Sequence, residues 1–308
     1  MLPAPFENVF VLTGPTGSGK TALAIDAAQE IHAEIISMDS MALYRGMDVG
    51  TAKPSRADRA AVPHHLIDVK EPWESASVAW WLEQARQITQ DIESRGKQVL
   101  LVGGTPLYLK ALVSGLFDGP AADDELRRRL AEEAQTHGTA HLHARLCAVD
   151  PVCAARIHPN DLRRVIRALE VLELTGKPMG GWQTQWRTES PGTAAPGNVI
   201  WLDMPREALY ERINARVEDM FAGGLIDEAR ALRALGRPLS REASKALGYA
   251  EAFAVLDGQL ALKEAIVAVQ TRSRNFAKRQ IAWFKHLPAC RPATKELTGT
   301  LLRRKINR

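Results

Sequence analysis

A glycine-rich run near the N-terminus limits the possible folds of this chain to a small set. The run reads Gly14, Pro15, Thr16, Gly17, Ser18, Gly19, Lys20, Thr21, and it follows an apolar stretch at 9–12 and precedes another at 22–25. The order strand, glycine-rich loop, helix is typical of a P-loop, whose backbone N–H groups surround phosphate oxygens while the lysine neutralises charge and the hydroxyl can bind Mg²⁺. The sequence therefore predicts a phosphate site here, but the compound bound and its reaction stay open.

Short apolar runs followed by helical patterns recur after this loop. Strands are predicted at 9–12, 34–38, 65–69, 99–102 and 198–204, with helices at 20–31 and 75–95. Runs that are apolar on both faces and are joined by helices favour a parallel sheet covered on both sides. The predicted fold class is α/β, with a P-loop NTPase-like parallel sheet flanked by helices.

The region 121–187 differs because only helical patterns occur in it. Asp123 is a predicted helix cap, and either Asn160 or Asp161 is predicted to cap a second helix. A linker at 190–197 leads to a further strand, so the helices are expected to be inserted into the α/β fold. The predicted domains are a core at 1–120 and 198–308, ending in a basic tail at 301–308, and an inserted helical domain at 121–197.

Composition favours a protein of the reducing cytoplasm. The chain has 308 residues, 45% hydrophobic and 25% charged, and its three cysteines are sparse and odd in number, which argues against a disulfide framework. No apolar run is long enough for a membrane span, and the N-terminus lacks a signal-peptide pattern. We expect a cytoplasmic monomer without membrane contact. His and Cys residues cluster at 137–158, but the cluster lacks the C-x-x-C spacing of zinc sites, which favours a polar helix surface.

Two side chains are predicted beside the phosphate loop because they follow strands of the sheet. Asp39 follows the second strand, and Thr105 follows Gly103 and Gly104 after the fourth. The carboxyl ends of parallel strands line the ligand crevice, so Asp39 could hold Mg²⁺ through water or accept a proton, or it could merely cap a turn. Thr105 could bond substrate or belong to a structural turn. Asp68 is the other candidate for a strand-end metal ligand.

Basic residues form further candidates. Arg212 and Arg216 lie four residues apart on one predicted helix, and either could clamp a phosphate. Basic and aromatic residues alternate over 271–285, a pattern that can hold phosphates and stack bases but that also occurs on solvated surfaces. The net charge of +4 and pI of about 9.0 are too mild to decide between these interpretations.

Several longer motifs together resemble tRNA dimethylallyltransferases, the isopentenyl transferases of bacterial tRNA. They lie in order along nearly the whole chain, at 14–21, 39–40, 44–54, 63–66, 103–108, 150–161, 247–249 and 278–280. The resemblance implies transfer of a dimethylallyl group from dimethylallyl diphosphate to the exocyclic amine of the adenosine just 3′ of the anticodon, with release of diphosphate. Pro106 and Ala250 depart from the usual pattern.

The resemblance also implies roles for individual residues. The loop 14–21 would hold the donor diphosphate, with Lys20 and Arg216 offsetting its charge and Thr21 binding Mg²⁺. Asp39 would accept the proton of the attacking amine, with Thr105 bonding the substrate beside it. The tRNA anticodon stem-loop would contact a larger set, namely Asp39, Ser40, Met41, Ala42, Thr105, Arg127, Arg163, Arg164, Val165, Ile166, Arg167, Lys245, Gly248, Tyr249, Lys278, Arg279, Gln280, Trp283 and Lys285.

Two other functions fit the P-loop alone. A small-molecule kinase would use ATP at the same loop, and a nucleotide-switched RNA-binding protein would need no catalytic carboxylate. Calorimetry with ATP against dimethylallyl diphosphate separates the first from a prenyltransferase, and the effect of Asp39→Ala on turnover separates the second.

Overall fold

The computed structural model describes residues 6–116, 119–182, 199–287, 289–296, 298 and 300. The chain divides into two compact units: a core unit, Met1–Ser114 with Ala194–Arg308, and a helical unit, Gly115–Thr193. The predicted linker at 190–197 and basic tail at 301–308 lie outside the described residues. Within the described part of the chain, no helix is long and apolar enough to cross a membrane.

The core unit contains a sheet of six described strands. They are β1 Phe10–Thr13, β2 Ala33–Ser37, β3 His64–His65, β4 Gln98–Gly103, β5 Val199–Leu202 and β6 Arg291–Ala293. Every pairing is parallel, in the order β3-β2-β4-β1-β5-β6. Thr13 is in register with Gly103, and Ser37 with Val102, so β1, β2 and β4 end at one edge of the sheet. The predicted parallel α/β fold is confirmed.

Helices pack on both faces of this sheet. The helices of the core unit are α1 Lys20–Glu30, α2 Arg56–Ala61, α3 Val78–Ser94, α4 Pro106–Ser114, α10 Arg206–Ala222, α11 Leu225–Ala234, α12 Tyr249–Leu256 and α13 Leu262–His286. Side chains alternate across β4: Leu100 joins the apolar cluster that includes α1, and Leu101 joins the cluster that includes α3 and α4. Burial on both faces explains why the strands are continuously apolar.

The third predicted strand, 65–69, was wrong in its extent, and the sixth strand was not predicted. β3 ends at His65 because Leu66 and Asp68 have φ values of 59° and 55°, which are incompatible with extended backbone. Asp68 accepts hydrogen bonds from Lys53 (2.6 Å) and Arg59 (2.6 Å), which hold this turn in place. Asp68 is therefore paired with cations and is not a free metal ligand.

The helical unit contains α5 Asp124–His137, α6 Thr139–Val149, α7 Pro151–Ala154, α8 Leu162–Thr175 and α9 Met179–Trp182 among its described residues. Asp123 caps α5 by accepting from the backbone N–H of Leu126 at 2.9 Å. Asp161, the second of the two residues proposed, caps α8 by accepting from the N–H of Arg164 at 3.2 Å. The unit has its own apolar core, built from α5, α6, α7 and α8.

Candidate active site

The ends of β2 and β4 approach each other so closely that a side chain is excluded. A Cβ atom at Gly103 would lie 2.2 Å from the carbonyl carbon of Met38. Met38 donates its N–H to Val102 (2.7 Å), and its carbonyl accepts from the N–H of Thr105 (3.3 Å). Thr105 is therefore held beside the residues that follow β2, as the strand-end argument predicted.

The turn that carries Asp39 and Ser40 is hydrogen-bonded to Thr105 at this edge. Thr105 Oγ1 accepts from the backbone N–H of Ser40 at 3.0 Å, and Asp39 Oδ1 accepts from the N–H of Met41 at 2.9 Å. One carboxylate oxygen of Asp39 thus serves the turn, which is the structural role considered for this residue. The turn orients the carboxyl group, and the partly buried side chain keeps its second oxygen for another partner.

The glycine-rich loop has the backbone that a phosphate cradle needs. Gly17 and Gly19 have φ values of 80° and 83°, which favour glycine. A Cβ at Gly17 would also lie 2.8 Å from Ile213 Cγ1. Helix α1 begins at Lys20 without a side-chain cap, and the hydroxyl of Ser18 is buried without a hydrogen-bond partner. Uncapped backbone N–H groups and an unsatisfied hydroxyl fit a phosphate bound at the helix N-terminus.

The charges of Lys20, Asp39 and Arg216 act on one another. Burial lowers the pKa of the Lys20 ammonium to about 8, the Asp39 carboxylate opposes this, and the Arg216 guanidinium reinforces it. Burial likewise lowers the pKa of Arg216, and Asp39 again acts in the opposite direction. These mutual effects require the three groups to lie near one another. The Lys20 ammonium also lies beside the loop that follows β4, because a Cβ atom at Gly104 would be 3.5 Å from its Nζ.

The structure separates the two candidate arginines. Arg212 donates from Nε to the carbonyl oxygen of Gly17 at 2.8 Å, so it supports the loop. Arg216 has a buried Nε without a partner, and its Nη2 donates a long hydrogen bond of 3.5 Å to the carbonyl of Thr51. A buried guanidinium N–H group without a partner is costly. Arg216 is thus the arginine whose unused donor fits an anionic ligand.

Gln280 was predicted to contact tRNA, but its side chain is only 2% exposed, so it does not present a surface contact. Its Oε1 accepts from the N–H of Thr16 at 2.9 Å, and its Nε2 donates to the carbonyl of Gly104 at 2.6 Å. The signal that could have revealed this is the helical spacing of 273, 277, 280 and 284, all buried on one stripe of α13.

The other predicted tRNA contacts of the core unit divide by exposure. The side chains of Lys245, Lys278, Arg279, Trp283 and Lys285 are exposed. Ser40 and Met41 are partly buried, while Ala42, Gly248 and Tyr249 are buried.

Tyr249 was also expected to contact tRNA, but its hydroxyl donates to Glu228 Oε1 at 2.6 Å inside the core unit. Glu228 also accepts from the consecutive N–H groups of Asp48, Val49 and Gly50, at 2.7, 2.8 and 3.1 Å. Burial raises the pKa of the Tyr249 hydroxyl above its ordinary value. Sequence reasoning missed Glu228, whose role depends on partners far away in the chain.

In the helical unit, two predicted tRNA contacts are engaged by a buried carboxylate. Arg127 donates to both oxygens of Glu170, at 2.8 and 2.9 Å, and Arg167 donates to Oε2 at 2.6 Å. Glu170 is fully buried, and these hydrogen bonds help to hold its pKa below the ordinary value. Arg163 and Arg164 are exposed, Ile166 is partly buried, and Val165 lies in the core. Arg163 and Arg164 are therefore the surface cations of this group.

The fold and site define a class of protein: an α/β protein with a phosphate-binding P-loop facing a carboxylate and a hydroxyl at the strand ends of a parallel sheet. A family model described as IPP transferase matches residues 42–287, and one described as isopentenyl transferase matches 7–70. The chain belongs to the IPP transferase family, and it is a prenyltransferase.

Individual relatives agree along most of the chain. The tRNA dimethylallyltransferase of Geobacter metallireducens is 45% identical over 279 residues, covering 90% of this chain and 89% of the relative. A crystal structure of a full-length tRNA isopentenylpyrophosphate transferase from Bacillus halodurans is 38% identical, covers 98% of this chain and 97% of its own, and has a TM-score of 0.69. A eukaryotic dimethylallyltransferase acting on tRNA is 28% identical, covers 93% and 74%, and has a TM-score of 0.75.

Proposed function

We propose that this chain transfers the dimethylallyl group of dimethylallyl diphosphate to the exocyclic amine of the adenosine 3′-adjacent to the tRNA anticodon. The observation that supports the proposal is that the charges of Lys20, Arg216 and Asp39 act on one another, as expected of an anion site beside a proton acceptor. A nucleotide switch that hydrolyses GTP would need further motifs, and the sequence contains no Asn-Lys-x-Asp segment for guanine recognition. The family and its named relatives support this assignment.

The chemistry follows from the positions of these groups. The amine nitrogen bonds to the allylic carbon, the carbon–oxygen bond to the diphosphate breaks, and the diphosphate leaves with the bonding electron pair. Lys20 and the unpartnered donor of Arg216 stabilise the charge that develops on the leaving group. The amine proton passes to Asp39, whose orientation the Met41 N–H fixes. Extruding the adenine from its stack requires a few kcal/mol, which tRNA contacts must offset.

The phosphate loop also fits a magnesium ion. Thr21 follows Lys20 at the start of α1, where a P-loop hydroxyl ligates the metal, and Asp39 is near enough to influence the pKa of Lys20. Mg²⁺ would supply further neutralisation of the diphosphate charge. We further expect a cytoplasmic, monomeric enzyme, and light scattering of the purified protein tests the oligomeric state.

Mass spectrometry of an anticodon stem-loop incubated with the protein and dimethylallyl diphosphate tests this function. We expect a mass gain of one dimethylallyl group with adenosine at the target position and none with inosine, which lacks the amine. Asp39→Asn is expected to remove turnover while stem-loop binding persists. The matched control is Asp26→Asn, an exposed residue of α1, which is expected to react like the unmodified chain. Tight ATP binding without binding of the prenyl donor would contradict the proposal and favour a kinase.

A further inference from the structure

Gln280 connects two loops that are distant in sequence. Its side-chain oxygen accepts from the N–H of Thr16 in the phosphate loop, and its side-chain nitrogen donates to the carbonyl of Gly104 in the loop after β4. A planar amide holds its acceptor and donor in a fixed relation, so it specifies the separation of both partners. Thr16 belongs to the same loop as Lys20, and Gly104 directly precedes Thr105.

The Gln280 amide is one of three groups packed closely against Gly104. A Cβ at Gly104 would lie 2.6 Å from Gln280 Nε2, 3.0 Å from the carbonyl oxygen of Gly14 and 3.5 Å from Lys20 Nζ. The Gln280 amide, the carbonyl of Gly14 and the Lys20 ammonium therefore all border Gly104. If the amide were removed, a backbone N–H and a carbonyl would lose their partners, and the two loops would no longer be joined there.

We propose that Gln280 is a positioning residue, which sets the distance between the donor diphosphate and the acceptor amine. The inference rests on the proposed function, in which the phosphate loop holds the donor and Thr105 lies beside the acceptor. Reacting atoms must approach to about 3–3.5 Å, and a displacement of about 1 Å can reduce the rate about 10²-fold. Gln280 acts on this separation through Thr16 and Gly104, without touching either reacting atom.

The test compares two glutamines of the same helix. Gln280→Met removes both hydrogen bonds at nearly constant volume. Gln270→Met is the matched control, because Gln270 donates to the carbonyl of Asn214 (3.3 Å) and to Glu218 (3.1 Å), away from both loops. We expect kcat of Gln280→Met to fall about 10²-fold while KM for the stem-loop changes less than about threefold, and Gln270→Met to keep kcat within about twofold.

A binding measurement separates this inference from the proposed function. Calorimetry with inorganic diphosphate is expected to show about tenfold weaker binding to Gln280→Met than to Gln270→Met, since the Thr16 N–H loses its anchor. If the unmodified chain binds diphosphate but does not prenylate RNA, the proposed function fails, and the diphosphate affinities still decide the role of Gln280. Equal affinities and equal kcat values in the two variants would show that Gln280 is only a buried core residue.

A second variant covers the case in which Gln280→Met does not fold. Gly104→Ala leaves Gln280 in the chain but places a methyl group against its amide nitrogen. We expect the same signature, a loss in kcat with little change in KM for the stem-loop. A kcat within about twofold of the unmodified chain would overturn the inference, because the added methyl must displace the amide.

Discussion

Replacing Arg216 by Gln tests the electrostatic basis of the site. Arg216 has a buried Nε without a partner, whereas the neighbouring Arg212 donates to the carbonyl of Gly17. We therefore expect Arg216 to stabilise charge on the leaving group and Arg212 to support the loop. Arg212→Gln is the matched comparison, because it removes the same charge from the same helix one turn away.

The expected magnitude follows from the burial of these donors. Removing one preorganised donor from a developing anion reduces kcat about 10²–10³-fold, or about 2.7–4 kcal/mol, and we expect this loss for Arg216→Gln. Arg212 is exposed, so its bond to Gly17 contributes only about 1 kcal/mol. We therefore expect Arg212→Gln to lose about fivefold, since about 1.4 kcal/mol corresponds to a factor of ten.

The same variant should move the pH profile in a defined direction. Donor binding requires the Lys20 ammonium, whose pKa is lowered to about 8, so kcat/KM is expected to decline as pH rises through about 8. Arg216 contributes to lowering that pKa. Without this cation the pKa of Lys20 rises toward its ordinary value, and the decline in kcat/KM moves to higher pH.

Steady-state kinetics of stem-loop prenylation measure both the rate loss and the shift of the pH profile. The range pH 6–10 extends about two pH units on either side of the pKa of Lys20. The unmodified chain and Arg212→Gln should share one basic limb, which is the fall in kcat/KM at high pH. For Arg216→Gln this limb should lie at higher pH. A rate loss for Arg216→Gln no larger than that for Arg212→Gln would refute the assignment of the leaving-group charge to Arg216. A basic limb displaced to lower pH would refute the proximity of Arg216 to Lys20.

Other residues give further predictions. Glu170→Gln leaves two arginines facing a neutral amide and should lower the free energy of unfolding by about 3 kcal/mol in urea titrations. Because the pKa of Glu170 is depressed, this stabilisation is present above its ordinary value of 4.5 and is lost as pH falls through the lower pKa of the folded state, so the variant should lose less stability on acidification. Lys278→Gln should reduce the salt slope of stem-loop affinity by about 0.7–0.9, whereas Arg167→Gln should chiefly reduce stability; an unchanged slope for Lys278→Gln would discard its phosphate contact. Gly103→Ala should lower the melting temperature, because its methyl group meets the Met38 backbone, and unchanged melting would contradict that packing.

The sequence could predict those parts of the site that depend on neighbouring residues. The loop at 14–21, Asp39 and Thr105 each follow an apolar strand, and parallel strands end at one edge, so their proximity follows from local patterns. The sequence could not distinguish Arg212 from Arg216, because the carbonyl groups that accept their hydrogen bonds belong to Gly17 and Thr51, in distant segments of the chain.

Buried polar residues were harder to predict than strand-end residues. Arg167 was expected to contact tRNA because of the family resemblance, but it is paired with Glu170, which lies one turn further on the buried side of the same helix. The partners of Gln280 are 264 and 176 residues away, so its hydrogen bonds cannot be inferred from composition or spacing. The helical periodicity of α13 reveals its burial, although it cannot reveal its partners.

Helix α13 extends over 25 residues, so the rotational phase of its side chains is preserved from end to end. Each residue advances an α-helix by about 100°, and seven residues complete nearly two turns. Inserting a single residue before Lys278 would therefore rotate Gln280 out of the interior and the basic side chains away from solvent together. Length changes within this helix are tolerable only in steps close to whole turns, whereas the loops that flank it have no such restriction.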